Sequence, residues 1–193
     1  MGMTPSQIGA LLKRIGLTAE FNEEHKYFVF SLATEVFKDD DGDTCLLMAI
    51  DIWEDGEFLQ FICPRLYNIK ECPHKAAVFE AALVMAWSTK SIGFEYHQDS
   101  GEVRAVFEIP LEDAQLTERQ LARILSMLRE LVETYDPVIR LAIATGKIDM
   151  TLSGSKPPDP TAAKNREVDD LIAELGGVER LRELAAKNKT PGG

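Results

Sequence analysis

Two turn signals separate three strand-like runs, and this arrangement constrains the fold more than any other feature of the sequence. The runs are rich in aromatic and β-branched residues and cover residues 25–37, 44–53 and 57–64. Asp41-Gly42 follows the first run and Asp55-Gly56 follows the second. Asp-Gly pairs supply the positive φ angles that tight hairpin turns need, so consecutive runs pair antiparallel. The sequence therefore predicts a three-stranded antiparallel meander.

The second of these runs is apolar on both of its faces. One side carries Leu46, Met48, Ile50 and Ile52, and the other carries Cys45, Leu47 and Ala49. A strand with only one buried face alternates between apolar and polar residues, whereas a strand buried on both faces does not. We therefore expect a central strand whose two faces are both buried.

A capping box marks the start of the first predicted helix. Thr4 is placed as the N-cap, Pro5 as the first helical residue and Gln7 as the reciprocal capping partner. Gly16 supplies a left-handed stop for this helix. An apolar stripe along it predicts that it lies on the rest of the fold.

The long helix that closes the folded unit begins with a second capping box, formed by Thr117 and Gln120. Its apolar face carries Leu121, Ile124, Leu125, Leu128, Leu131 and Val132. Asp136-Pro137 predicts an interruption, after which a further helical piece runs from Val138 to Thr145.

Between the meander and the closing helix, the chain predicts one more helix and a second hairpin. Residues 73–90 have helical length and are apolar around most of the axis, so this helix is buried within the fold or at a subunit contact. The segments "SIGFEYHQ" and "EVRAVFEIP" then form a hairpin around Asp99-Ser100-Gly101.

The predicted order is α-β-β-β-α-β-β-α, which is an α+β fold with an antiparallel sheet flanked by helices. We assign this domain to residues 1–150, a flexible linker rich in Pro and Ser to residues 151–165, and a short amphipathic helical tail to residues 166–193. Isolated helices as short as those of the tail are marginal in water, so we expect them to dock on this chain or on another one.

The charge is strongly acidic and unevenly distributed. The net charge is -11, and residues 1–150 contain 25 acidic and 14 basic side chains, whereas residues 151–193 contain seven of each. Binding to nucleic acids and to anionic membranes depends on basic surfaces, so the sequence argues against both kinds of partner.

The composition also favours a cytoplasmic protein. The three cysteines form no disulfide framework, and no run of about 18 apolar residues occurs. The start of the sequence lacks the basic, apolar and cleavage regions of a signal peptide.

The stretch "FICPRLYNIKECPHK" (61–75) contains two Cys-Pro steps and His74. Both steps have a structural interpretation, because proline after Cys63 ends strand pairing and Pro73 is shaped for the first turn of the following helix. Cys63 and Cys72 lack the spacing of a zinc knuckle, and only His74 lies nearby. The structural interpretation is favoured, and metal, haem or redox sites are the alternatives.

The other candidate ligand-binding or catalytic groups also have simpler structural interpretations. The acidic loop at 39–43 lacks the ligand spacing of a calcium loop and is typical of a hairpin turn. No nucleophile motif accompanies the histidines, and we place His25 and His97 on the surface and His74 near a helix N-terminus. Four aromatic residues are assigned to the core in preference to a ligand cleft: Trp53, Trp87, Phe94 and Tyr96.

The element order, together with the stretch "GFEYHQDSGEVRAVFEIPLEDAQLTERQLARILSMLRELVE", resembles the YbjN-domain family. The resemblance covers residues 4–146 and implies the fold of type III secretion chaperones, whose members are small acidic cytoplasmic homodimers that hold partner proteins. Many YbjN-domain members have asparagines where this chain has Trp87-Ser88-Thr89. The family supplies no motif with an established role, so no functional residue follows from the resemblance.

These observations predict a non-enzymatic protein-binding module, chaperone-like or regulatory, that acts as a homodimer. Catalytic, cofactor-binding and metal-ligating residues are all expected to be absent. We also expect the tail helices at 166–187 to occupy the binding surface until a partner displaces them. The alternative is a regulatory protein that senses a small molecule, a metal or haem through the cysteines and histidine at 63–74.

We expect the purified protein to contain neither zinc nor haem in stoichiometric amount, because the ligand spacing of a zinc knuckle is missing. Elemental analysis and an absorbance spectrum test this expectation. One metal ion or haem per chain, lost when Cys63 and Cys72 are both replaced by serine, would favour the sensing alternative.

Overall fold

The structure is a computed structural model that describes residues 2–89 and 91–154. Three α-helices and six strands occur in this part of the chain. In chain order they are α1 (Pro5–Arg14), β1 (Glu20–Asn22), β2 (Tyr27–Ala33), β3 (Cys45–Trp53), β4 (Phe58–Asn68), α2 (Lys75–Ser88), β5 (Ile92–His97), β6 (Glu102–Pro110) and α3 (Glu118–Thr145). Two 3-10 turns, Glu54–Gly56 and Met150–Ser153, complete the description.

All strands belong to one antiparallel sheet with the spatial order β1-β2-β3-β4-β6-β5. The α+β class, the antiparallel meander and the second hairpin are therefore confirmed. The short strand β1 was not predicted, because three residues are too few to show a periodic pattern. It pairs with β2 and forms one edge of the sheet.

The two capping boxes are also confirmed. The backbone N–H of Gln7 donates to the Thr4 hydroxyl at 3.3 Å, and the Gln7 side chain accepts from the Thr4 backbone at 2.8 Å. Thr117 and Gln120 make the same pair of bonds at the start of α3. Each box satisfies donors that the first turn of a helix would otherwise leave unpaired.

The hydrophobic core lies between one face of the sheet and the helices. Large side chains that are almost fully buried come from both layers: Ile8 and Leu12 of α1, Leu46, Met48 and Ile50 of β3, Leu59 and Phe61 of β4, Met85 of α2, and Leu121, Leu128 and Ile139 of α3. The apolar stripes predicted for α1 and α3 are therefore packed on the sheet.

Strand β4 does not end at Pro64, and this part of the prediction is wrong. The strand continues to Asn68, and its pairing with β6 shifts register between Cys63 and Tyr67. Arg65 lies in this bulge at φ 54°, and its backbone N–H donates to the Glu102 carboxylate at 3.0 Å. Proline is tolerated at a bulge because no ladder hydrogen bond is required of it there.

Pro73 does not occupy the first helical position either. Helix α2 begins at Lys75, with His74 as its N-cap, so Pro73 precedes the helix by two residues. The His74 side chain makes no capping hydrogen bond. Its ring instead lies so close to Gly146 that a Cβ at position 146 would be 2.7 Å from the ring nitrogen Nδ1.

Helix α3 is continuous through Pro137, which contradicts the predicted interruption. A proline inside a helix costs about 3 kcal/mol, so other contacts must hold the helix together. Val138, Ile139 and Ala142 are buried in the turns that follow Pro137. Their packing explains why the helix runs on to Thr145.

Asp136, the residue before Pro137, links α3 to the sheet. Asp136 is only 4% exposed, and its carboxylate accepts from the Tyr67 hydroxyl at 3.1 Å and from Arg140 Nε at 2.8 Å. The Arg140 guanidinium also lies 5.8 Å from the centre of the Phe37 ring. Burial, followed by the negative charge of Asp136, raises the pKa of Tyr67, so this phenol stays protonated and can donate.

The connection between β2 and β3 is held on α3 by one carboxylate. Glu133 accepts from the backbone N–H groups of Glu35, Val36 and Phe37, at 2.5, 2.7 and 3.1 Å. Three consecutive N–H groups form a concave site that favours an anion. The segment that leaves the sheet after β2 is thereby fixed against the helix layer.

The described residues include only the beginning of the predicted linker, where Met150–Ser153 form a 3-10 turn. The rest of the linker and the tail at 166–193 lie outside the described residues, so the domain division stays a prediction. Among the described residues, no helix is both long and apolar enough to span a membrane.

We expect Glu133→Ala to lower the free energy of unfolding by about 1–2 kcal/mol, because three N–H groups lose a charged acceptor. Chemical denaturation measures this change. Glu130→Ala, at an exposed position of the same helix, is the matched control and should change stability by less than about 0.5 kcal/mol. Equal effects of the two substitutions would contradict the role of Glu133.

Candidate protein-interaction surfaces

Both tryptophans are on the surface, so their assignment to the core is wrong. Trp53 is 54% exposed and Trp87 is 55% exposed. Phe94 and Tyr96, by contrast, are half-buried and pack against the core, and the Tyr96 ring lies 5.0 Å from that of Phe79 in α2. Large exposed aromatic side chains in a structured region are typical of interaction sites.

Trp87 belongs to an apolar stripe on the outer side of α2. This stripe, which we call the α2 ridge, consists of Ala76, Leu83 and Trp87, which share one side of the helix with Glu80 and are all exposed. Leu83 is the most exposed large apolar residue of the described chain, at 72%. The inner side of the helix is buried through residues such as Val78, Ala81 and Met85.

The exposure of the α2 ridge distinguishes between the two predicted positions of this helix, which were burial within the fold and burial at a subunit contact. A helix buried within the fold would have no exposed apolar stripe, so that possibility is wrong for the single chain. The subunit contact stays a prediction. Lys75 and Glu80 are the charged residues of the helix, and they make its net charge zero.

Trp53 lies at the margin of a second apolar surface, the sheet face turned away from the helices, which we call the open face. Successive strand residues alternate between the two faces, so the register identifies its members. They include Val29 of β2, Leu47 and Ala49 of β3, Phe58 and Ile62 of β4, Val106 of β6 and Gly93 of β5.

The open face corrects the prediction that β3 is covered on both sides. Leu46, Met48 and Ile50 are fully buried on the helix side, whereas Leu47 and Ala49 are only half-buried. Ile62 and Val106 are each 6% exposed, yet they are not part of the hydrophobic core cluster. The apolar composition of β3 therefore reflects two surfaces of which only one is packed by the described helices.

Polar groups on the open face are paired within the sheet. Gln60 donates to Glu108 at 2.8 Å, and Arg104 is paired with Glu95 at 2.6 Å. Burial raises the pKa of Asp51, against the opposing effects of a hydrogen bond from Trp53 and the charge of Arg104. Desolvation thus destabilises the charged form of Asp51, and nearby groups offset this effect only in part.

The cysteines and histidine at 63–74 are not gathered into a ligand set. Cys63 is fully buried with its sulfur 3.3 Å from that of Met48, and burial raises the pKa of its thiol, which disfavours the thiolate. The thiol of Cys72 points to the carbonyl of Ile143 at 3.6 Å. No group of three or more His, Cys, Asp or Glu residues suited to a metal ion occurs in the part of the chain that the structure describes.

The acidic loop before β3 forms the turn that the sequence predicts. Asp39 accepts from the backbone N–H groups of Asp41 and Asp43, at 3.0 and 2.8 Å, and from the thiol of Cys45 at 3.3 Å. These hydrogen bonds lower the pKa of Asp39, whereas the bond to Asp39 raises the pKa of Cys45. The loop carboxylate is therefore used to shape the turn.

The remaining histidines lie where the sequence places them. His25 and His97 are exposed, and the His97 ring nitrogen Nδ1 is 2.9 Å from the Ser100 hydroxyl within the β5–β6 turn. A local turn contact explains this arrangement without a nucleophile or an acid–base partner.

No protein-family model and no curated protein matches this sequence. Solved structures do match it. A chain of the ExsC–ExsE complex matches with a TM-score of 0.50 and 20% identity, over 72% of this chain and 97% of that one.

Two further matches have lower scores. A chain of the HopA1–SchA chaperone–effector complex matches with a TM-score of 0.46 and 16% identity, over 68% of this chain and 91% of that one. YbjN from E. coli, described as a candidate transcription regulator, matches with a TM-score of 0.46 and 11% identity, over 70% and 92% of the two chains.

The match to the ExsC–ExsE complex establishes a similarity of fold. The α+β fold with one antiparallel sheet and helices on one of its faces is that of the type III secretion chaperone-like structures. The predicted fold resemblance is confirmed. At these levels of identity the similarity concerns the fold alone, so the interaction surfaces must be argued from this chain.

Proposed function

We propose that this protein is a non-enzymatic binding module, chaperone-like or regulatory, which holds another polypeptide and acts as a homodimer in the cytoplasm. The observation that carries the proposal is the exposure of Leu83 and Trp87 on the α2 ridge of a well-packed domain, together with that of Trp53 at the margin of the open face. Exposed apolar surface of this kind is characteristic of sites for other proteins.

The fold similarity supports the same proposal. The matched chain is part of a complex of two proteins, ExsC and ExsE, so this fold can accommodate a polypeptide partner. The described residues also lack a cluster of metal ligands, and no observation favours the sensing alternative over polypeptide binding. The free thiols of Cys45, Cys63 and Cys72 fit a reducing compartment.

We assign the subunit contact to the α2 ridge on the basis of charge. Residues 1–150 carry 25 acidic and 14 basic side chains, so two copies repel each other over most of their surfaces. Helix α2 is neutral and presents Leu83 and Trp87 to the outside. A two-fold contact between two such ridges buries four large apolar side chains, and Lys75 balances the charge of Glu80 on each helix.

The open face is then the surface for the partner polypeptide. It lies on the side of the sheet away from the core helices, so a partner can occupy it without disturbing the packing. In this mechanism the domain changes no covalent bond. It stabilises a partner segment by removing apolar side chains of both molecules from water.

We expect the wild-type protein to sediment as a dimer at about 50 µM and Leu83→Arg to sediment as a monomer, because the substitution places two cations in the contact. Analytical ultracentrifugation over a dilution series measures the change, and Trp87→Arg should act in the same direction. Val36→Arg is the matched control, since Val36 is another exposed apolar residue, at 50%.

A monomeric wild-type protein, or a dimer that survives both arginine substitutions, would contradict the assignment of the α2 ridge. The polypeptide-holding role is tested separately by affinity capture from the native cell, with wild-type and Trp53→Glu proteins as baits. Recovery of the same polypeptides in the same amounts by both baits would contradict a role for the open face.

A further inference from the structure

A small cleft lies between the C-terminal end of α2, the start of β5 and helix α3, and it opens to the surface. Its volume is about 280 Å³. The floor of the cleft is apolar and contains the buried residues Ile92, Leu131 and Tyr135, with the half-buried Met127 beside them. Sites that enclose a small molecule have volumes of about 300–1,000 Å³, so this cleft is suited to a single side chain.

The rim of the cleft is polar. Helix α3 contributes Glu130, which accepts from the Ser126 hydroxyl at 2.6 Å, and Thr134, whose hydroxyl makes no hydrogen bond with the described residues. The oxygens of both residues can accept a further hydrogen bond. An apolar floor with acceptors at its rim suits a side chain that has a large apolar body and a single donor, and tryptophan has this character.

Trp87 lies beside the cleft but is not one of the residues that line it. Thr89, on the rim, follows Trp87 by two residues, so their Cα atoms are at most about 7.6 Å apart. Helical side chains point back towards the N-terminus of their helix, so Trp87 points towards Leu83 and away from Thr89. Its ring N–H makes no hydrogen bond with the described residues. Each chain therefore presents an exposed tryptophan next to a cleft that its own tryptophan does not enter.

A stable subunit contact needs more surface than the α2 ridge alone provides. A standard interface buries about 800 Å² on each partner. A large aromatic side chain buries about 150–250 Å², so Trp87 and the smaller Leu83 together supply less than about 500 Å². The contact must extend onto the surface next to the ridge, and the cleft is the concave site there.

A second copy of the chain supplies the occupant that fits the cleft. Residues 151–193 contain no aromatic residue, so this segment has no side chain that combines a large apolar body with a ring N–H. Trp53, the other tryptophan, already donates a hydrogen bond to Asp51. In a two-fold contact each copy offers one Trp87 and one cleft, so a single insertion is made twice and doubles its contribution.

We propose that the subunit contact is a reciprocal insertion, in which Trp87 of each copy occupies the cleft of the other copy and donates its ring N–H to the rim formed by Glu130 and Thr134. The proposal rests on the proposed function, specifically on the subunit contact at the α2 ridge, and adds the site that receives Trp87.

Blocking the cleft tests the proposal with the full-length protein. Thr134→Phe fills the cleft and leaves the α2 ridge intact, and Trp87→Ala removes the inserted side chain. We expect each variant to form a dimer at least about 25-fold weaker than the wild type, because each loses both insertions. Analytical ultracentrifugation over a dilution series measures the dissociation constants.

The matched control is Ala122→Phe, which adds the same ring at another exposed position of α3 and should change the dissociation constant less than about twofold. Circular dichroism establishes that each variant is folded. Met127→Trp blocks the cleft from two turns earlier on α3, so it replaces Thr134→Phe if that variant does not fold.

A mixture of the two defective variants gives a result that reciprocal insertion alone predicts. Thr134→Phe keeps Trp87, and Trp87→Ala keeps an open cleft. A heterodimer of the two retains one insertion, whereas each homodimer retains none. Fluorescein-labelled Trp87→Ala titrated with Thr134→Phe should therefore show, by anisotropy, association at least about fivefold tighter than that of either variant alone.

A Thr134→Phe dimer as tight as the wild type, or a mixture no tighter than its two components, would overturn the proposal. If Leu83→Arg still abolishes the dimer in that case, the ridge contact of the proposed function stands and only the receiving site is wrong. A wild-type protein that is monomeric throughout the dilution series would show that both are wrong. If Thr134→Phe keeps the dimer but loses the polypeptides recovered by affinity capture, a partner occupies the cleft, and the proposal is overturned as well.

Discussion

The arrangement that the rest of the structure depends on is a six-stranded antiparallel sheet covered by helices on one face. Because strand side chains alternate, the sequence must supply residues for both faces at once. On the covered face these residues build the core, with Phe61 and Ile50 fully buried at the centre. On the other face they form an apolar row with acidic surroundings. The composition of the open face is thus a direct consequence of how the core is built.

The helix layer makes this surface rigid. Helix α3 holds the β2–β3 connection through Glu133, and it holds the bulged strand β4 through the contact of Asp136 with Tyr67. Arg140 completes this link by bonding Asp136 and lying against the ring of Phe37. A binding surface on a sheet that is fixed in this way loses little conformational entropy when a partner binds. The same reasoning applies to the outer side of α2, because the inner side of this helix is packed in the core.

Local signals in the sequence were sufficient for most of the fold. Capping boxes at Thr4 and Thr117, and turn residues around Gly42 and Gly101, specify conformation through atoms that are close in the chain. The predictions that β4 ends at Pro64 and that α3 is interrupted at Pro137 were wrong because both depend on contacts that are distant in the chain. A bulge opposite β6 accommodates Pro64, and the burial of the turns that follow Pro137 offsets the cost of that proline. The sequence predicted the composition of the candidate surfaces but not their exposure. The apolar composition of α2 and β3 was visible, but whether Trp53 and Trp87 are covered depends on tertiary packing.

The central claim is that the α2 ridge and the open face, on which the described helices do not pack, are contacted by different molecules. The two tryptophans report on these surfaces separately, since Trp87 lies on the α2 ridge and Trp53 at the open face. Hydroxyl-radical footprinting read by mass spectrometry tests the claim most directly. The account predicts that both are oxidised in the dilute protein, that Trp87 alone becomes protected as the concentration rises, and that Trp53 becomes protected only when a partner polypeptide is added. Protection of both tryptophans in the dilute single chain would contradict it.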